Sequence, residues 1–367
     1  GVYSVLFDEW VVKPVNDSVV LVDKESITKK SKRWMETIDT ILENIKVPKN
    51  FKINLKNVDF LIWNTKLKYD IVVGNPPYKK LTKNKALLES YKFGIQNTDT
   101  NNLFSFFIEK SIRLGNYVSL IVPKSLLNSP EFNKTRELIN SYNLEKICDY
   151  GEKAFKGVKI ETVSFLVNTI ETEKSDEIKI ESYIDKNYSL KSKKYILSDD
   201  FPYWLIYRSD KFDKIASKMK LDIFQSFRDR QITKSLTKNN GQIRVLKARN
   251  IGNNKIKDLK NYDCYVDDME NLAVSKYINE NDVVMVPNLT YYPRATFLPK
   301  NTIVDGSVAL LTLKNGSRLP TEQDLDFYST KEFENYYRVA RNHGTRSLNI
   351  DNNSVFFFGL LKNIPNE

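Results

Sequence analysis

Residues Asp70–Tyr78 read DIVVGNPPY, an apolar run closed by an amide, two consecutive prolines and an aromatic ring. Neither proline can donate a backbone hydrogen bond, so a strand entering this segment must stop and give way to a rigid loop. A rigid loop at the carboxyl end of a strand, bearing an amide and a ring, suits methylation of an exocyclic amine conjugated into an aromatic ring. The lone pair of such a nitrogen is delocalised, which makes it a poor nucleophile. Acceptors that take both amine hydrogens draw the nitrogen toward tetrahedral geometry. The Asn75 side-chain carbonyl and the Pro76 backbone carbonyl can form that pair, with Pro77 stiffening the turn. Tyr78 can stack on the ring, and a base held this way has to leave its duplex. A bare Asn-Pro is a common turn signal, but the full strand-terminating string is far less common.

The elements that must position these residues alternate in type. Val19–Asp23 (VVLVD), Asp70–Gly74, Asn116–Pro123, Lys146–Tyr150 and Glu161–Asn168 read as strands. A stretch from about 27 to 45, Leu103–Leu114 (LFSFFIEKSIRL) and Glu131–Asn143 carry helical spacing. Strands separated by helices, without hairpin signals, predict an α/β fold on a mostly parallel sheet, with ligand chemistry at the carboxyl ends of its strands. This texture covers 1–170. Residues 171–200, rich in Lys, Glu, Asp and Ser, suit an exposed connection or irregular strands. From 201 to 367 the pattern is short strands, Asn/Gly/Asp turns and scattered basic residues, which predicts a smaller β-rich α+β domain.

Composition narrows the class. The chain has 367 residues, enough for two cores, and a net charge of +11 that attracts polyanions. No apolar run reaches the roughly 18–20 residues of a membrane span, so no membrane association is expected. Two distant cysteines and one histidine leave almost no room for a zinc site or a histidine-based triad, and they suit a reducing cytoplasm.

On the NPPY string the sequence resembles the amino-methyltransferases that carry this signature, specifically the Taq-like adenine DNA methyltransferases of restriction–modification systems. The resemblance implies a Rossmann-like sheet that binds S-adenosylmethionine, and methyl transfer to N6 of a flipped adenine in double-stranded DNA. It implies that an acid ending the second strand, Asp23 or in its place Glu25, holds the cofactor ribose. It further implies that Asp59, with Phe60 beside it, meets the cofactor adenine, and that Asn75 lies between cofactor and base. LFSFF at Leu103–Phe107 and IVPKSL at Ile121–Leu126 resemble the helix and strand end that follow the catalytic loop. In the segment Glu152–Val167, Phe155 is then the aromatic facing Tyr78 across the base. The family opens its fold with a glycine-rich loop around the methionine part of the cofactor, and nothing before Asp23 looks like it. An upstream segment or a partner subunit then supplies that loop, or cofactor binding is impaired.

The second half reads as a DNA surface and resembles target-recognition domains. Gln231–Ile251 (QITKSLTKNNGQIRVLKARNI) predicts a turn-punctuated pair of strands bearing cations and amides. Lys234 and Lys238 are candidate phosphate contacts, and Arg249, Arg294 and Arg346 candidate base-reading or backbone-binding arginines. Three readings compete with adenine-N6 methylation: cytosine-N4 methylation by the same amine logic, methylation of RNA or protein glutamine, and a non-catalytic DNA-specificity subunit.

Overall fold

The structure, a computed structural model, describes residues 9–14, 18–23, 52–155, 159–171, 173–314, 316–345 and 347–362. Glu25, Arg346 and the helix expected over about 27–45 lie outside the described residues. Asp23 is described by its backbone, as the last residue of a strand. The chain divides into two compact units, Gly1–Trp204 and Leu205–Glu367.

The first unit is built on one sheet. Its strands are β1 (Glu9–Pro14), β2 (Ser18–Asp23), β3 (Lys52–Asn57), β4 (Tyr69–Gly74), β5 (Gly115–Pro123), β6 (Asn143–Gly151), β7 (Thr162–Asn168), β8 (Glu177–Ser182) and β9 (Asn187–Ser192), in the spatial order β3-β2-β1-β4-β5-β7-β6-β8-β9. The architecture is a mixed α/β fold, and the expectation of a mostly parallel sheet needs correcting. Among the described residues only β2–β3, β4–β5 and β6–β8 pair in parallel. The other five pairings are antiparallel. Chain length explains much of this, because a parallel crossover needs a dozen or more residues. Three residues, 15–17, join β1 to β2, and four, 183–186, join β8 to β9 with Lys186 at φ 55°. Residues 171–200 accordingly supply the last two strands at one end of the sheet, with β9 at its edge, rather than a bare connection.

Two helices brace β4 and β5. α1 (Lys85–Lys92) is capped by Asn84, whose side chain accepts from Leu87 N. α2 (Leu103–Leu114) is buried almost all round, which its LFSFFI run demands. Gly115 then turns α2 directly into β5, and a Cβ there would lie 2.7 Å from Val72 Cγ2 on β4, so the junction requires glycine. Along β5, Val118, Leu120 and Val122 alternate into the core and Pro123 ends the ladder. The helix expected over Glu131–Asn143 is shorter, α3 (Asn133–Asn140), preceded by a 3-10 turn at Pro130–Phe132.

In the second unit Phe224–Phe227, Val308–Leu313, Val284–Pro287 and Thr296–Phe297 form an antiparallel four-stranded sheet. Ile243–Leu246 lies between Cys264–Val266 and Thr302–Val304 in a second, three-stranded sheet. Val245, Leu246, Met285, Ile303, Val308 and Leu310 belong to one core shared by both sheets. Of the strand pair expected in Gln231–Ile251 only Ile243–Leu246 forms a strand, followed by a 3-10 turn at Ala248–Asn250. Among the described residues no helix is long and apolar enough to cross a membrane.

Candidate active site

The NPPY loop begins where β4 ends. β4 is an inner strand, and its YDIVVG sequence buries Tyr69 and Val72 while leaving Gly74 and Asn75 partly accessible. Pro76 is buried, and Pro77 and Tyr78 are half-buried. Asn75 Oδ1 is buried and accepts no hydrogen bond from any described residue. A buried amide carbonyl normally finds a donor, so one left open at a strand end is an acceptor available to something else.

Tyr78 is fixed at both ends. Its hydroxyl donates to Ile121 O on β5 at 3.0 Å. Its ring meets Phe104 edge-on, centroids 6.5 Å apart at 79°. Phe104 is in place because the start of α2 is tied to the residues after Tyr78: Leu103 N donates to Lys79 O, and Leu81 N to Asn101 O, both at 2.9 Å. Burial pushes the Tyr78 phenol well above its ordinary range, so it stays a neutral donor. Phe155 also lies against Tyr78, centroids 6.3 Å apart at 71°. The two rings expected to sandwich a base are therefore neighbours, but they meet edge-on. A base stacked on both needs one of the rings to rotate.

Of the residues nominated for the cofactor, Asp59 is partly exposed and already engaged. Its Oδ1 accepts from Leu61 N at 3.0 Å and its Oδ2 from the Tyr91 hydroxyl on α1. Burial, and next the hydrogen bond to Asp59 and its charge, push the Tyr91 phenol far up. A carboxylate offers about four lone-pair sites, so Asp59 retains acceptor capacity. Phe60 departs from expectation: it is 1% exposed and stacks on Phe107 of α2, centroids 5.2 Å apart at 20°. Its apolar ring follows Asp59 straight into the core, and it offers no open face to a cofactor.

The basic candidates of the second unit separate into three kinds. Arg294 is structural: its Nε donates to Ile251 O at 2.7 Å, its Nη2 to Ala248 O at 3.0 Å and its Nη1 to Thr290 Oγ1 at 2.5 Å. A guanidinium so spent has little left for a base edge, so its expected reading role is corrected to bracing the turn above it. Lys238 is ion-paired with Asp267, while Lys234 is exposed and makes no ion pair among the described residues. Arg249 is exposed, makes no hydrogen bond among the described residues and lies over the Tyr262 ring at 4.7 Å.

Sequence reasoning missed Lys247, whose ammonium lies over the same ring at 3.9 Å, and Tyr262 itself. It also missed Phe104 and Tyr91, whose roles depend on contacts distant in sequence. The LKARN string, two cations flanking a small residue, was the available signal for Lys247.

Comparison with known proteins gives a fold and a family match. No curated protein sequence matches the chain. The type IIL restriction-modification enzyme MmeI, in complex with DNA, is similar at 11% identity and a TM-score of 0.51, over 88% of this chain and 51% of that one. The type IIG restriction endonuclease BpuSI is similar at 13% identity and a TM-score of 0.42, over 87% of this chain and 50% of that one. The chain spans about half the length of both. At such identity the likeness to MmeI is one of fold. Residues 3–155, which carry the NPPY loop and end on Phe155, match the family of Eco57I restriction-modification methylases.

Proposed function

We propose that this chain is the methyl-transferring and DNA-reading part of a restriction–modification DNA methyltransferase that methylates adenine at N6. The observation that carries the reading is the open buried carbonyl of Asn75, directly after β4 and three residues before Tyr78. The family match over residues 3–155 supports it. The order β3-β2-β1-β4-β5-β7-β6, with β7 antiparallel to both neighbours, supports a Rossmann-like sheet. The methyl donor is S-adenosylmethionine, which when bound supplies an electrophilic methyl group. Asp59 fits its nucleoside end, having acceptor capacity to spare, and the strand end at Asp23 lies next to that of β3.

The chemistry of this chain is acceptor placement. Asn75 Oδ1 and the Pro76 carbonyl take the two amine hydrogens of the flipped base and hold the lone pair toward the donor. As positive charge develops on the nitrogen these hydrogen bonds strengthen, so they stabilise the transition state more than the ground state. Tyr78 stacks on the base, its ring held by Phe104 and Ile121 O. In the second unit Arg249 reads a base edge, Lys247 and Lys234 meet phosphates, and Tyr262 holds Lys247 and Arg249 together.

One observation favours a second reading, in which a further segment or partner subunit completes the cofactor site. β1, an inner strand, runs antiparallel to both β2 and β4, so its carboxyl end lies away from theirs. The test is to incubate unmodified genomic DNA with the chain and labelled S-adenosylmethionine, then separate the nucleosides. Label in N6-methyladenine is expected. Label in N4-methylcytosine replaces the adenine assignment, and label in protein or RNA alone overturns the reading.

A further inference from the structure

We propose that Lys124 is a positioning residue that sets the spacing of the two aromatic walls of the base site. This rests on reading Tyr78 and Phe155 as those walls. Lys124 follows the last residue of β5, and its side chain is 9% exposed. Its ammonium lies 2.7 Å from Asp149 Oδ2 and 3.2 Å from Glu161 Oε1. Its backbone N–H donates to Glu161 O at 2.9 Å. Asp149, near the end of β6, is fully buried, and its Oδ1 accepts from Gly151 N at 2.9 Å.

Phe155 sits on the segment between Gly151 and Glu161. One ammonium therefore holds Asp149, six residues before Phe155, and Glu161, six residues after it. Tyr78 is referenced to the same strand, because its hydroxyl is held by Ile121, three residues before Lys124. The terminus of β5 is thus the common frame for both rings. A buried ion cluster is a poor device for bare stability, since apolar residues of similar volume serve as well or better. What the cluster adds is direction: two carboxylates from different segments are forced to converge on one point.

The test compares Lys124→Met and Lys124→Arg in the full chain by amide hydrogen exchange and by methyl transfer to unmodified genomic DNA. In Lys124→Met, exchange at Gly151–Phe155 should quicken roughly tenfold while β4 and β5 keep wild-type protection. The kcat should fall roughly tenfold with KM for DNA within about twofold, since duplex affinity is set in the other unit. Lys124→Arg, which can still span both carboxylates, should recover most of both. Unchanged exchange at Gly151–Phe155, or faster exchange spread through the whole sheet, overturns the proposal. Should Lys124→Met fail to fold, Glu161→Gln releases one end of the segment and is judged by the same exchange pattern. If the wild-type chain transfers no methyl group, the catalytic reading fails, while the exchange result still decides whether Lys124 positions the segment.

Discussion

Asn75 and Arg294 show how far one side chain's bonding state constrains its use. An unsatisfied buried acceptor costs about 1–3 kcal/mol, so Asn75 is kept at the expense of stability. Asn75→Ala should therefore lose roughly 10²–10³ in kcat while melting no lower than wild type. Activity within a few-fold of wild type would remove Asn75 from the mechanism. Arg294 and Arg249 should behave in opposite ways. Arg294→Ala removes donors to Ile251 O, Ala248 O and Thr290 Oγ1 and should destabilise the second unit by about 1–3 kcal/mol. Arg249→Ala should leave the melting temperature unchanged and weaken cognate DNA by about 1–3 kcal/mol, with relaxed specificity. Melting curves and competition titrations on both variants separate the two roles, and the same result for both would dissolve the distinction. Sequence alone could not rank these arginines, because what differs is the carbonyls that fold around Arg294.

At the scale of elements, what was legible followed hydrophobic period and chain breakers. The helix Leu103–Leu114 and the strands ending at Gly74 and Pro123 stand where the pattern placed them. What failed was orientation, since the short links that reverse β1 and β9 carry no strong glycine signal. Legibility of the site followed the same line: the string at Asn75–Tyr78 is local, whereas the partners of Asp59 and Tyr78 come from helices and strands remote in sequence. One polar joint of the second unit sets a pH prediction. Asp324, in the first turn of Glu322–Tyr328, accepts from both Arg318 Nη1 and Nη2, from Thr321 N and from Leu361 N. Burial pushes its carboxyl up, but the Arg318 guanidinium and the two N–H donors outweigh it and hold the value below the ordinary one. A depressed folded-state value stabilises above the unfolded value of about 3.9 and is lost as pH falls below it. The second unit should therefore melt progressively lower as pH drops from about 5 toward 2. Asp324→Asn should melt lower than wild type at pH 7 and show a flatter acid limb; an equally steep limb in the variant would exclude Asp324 as its source.

For the molecule as a whole, the net charge of +11 makes the proposed DNA affinity a salt-dependent quantity. A fragment spanning Leu205–Glu367 should bind duplex DNA alone, and Lys234→Ala should weaken all sequences alike and flatten the salt slope by about one unit. Lys238→Ala should change the slope less, because its ammonium is already paired with Asp267. Failure of the fragment to bind at low salt would end the assignment of reading to this unit. The turn at Ala248–Asn250 has a consequence for how such a protein diversifies. Its backbone is held by side chains it does not display: Arg294 on the Ala248 and Ile251 carbonyls, Ser307 Oγ on Ala248 N, and buried Asn250 on Lys247 N. Exchange of the displayed residue at 249 leaves every one of those bonds in place. On the reading role proposed for Arg249, mutational drift at that position retargets the protein in single steps at no cost in stability, whereas drift at 294 costs the second unit about 1–3 kcal/mol each time.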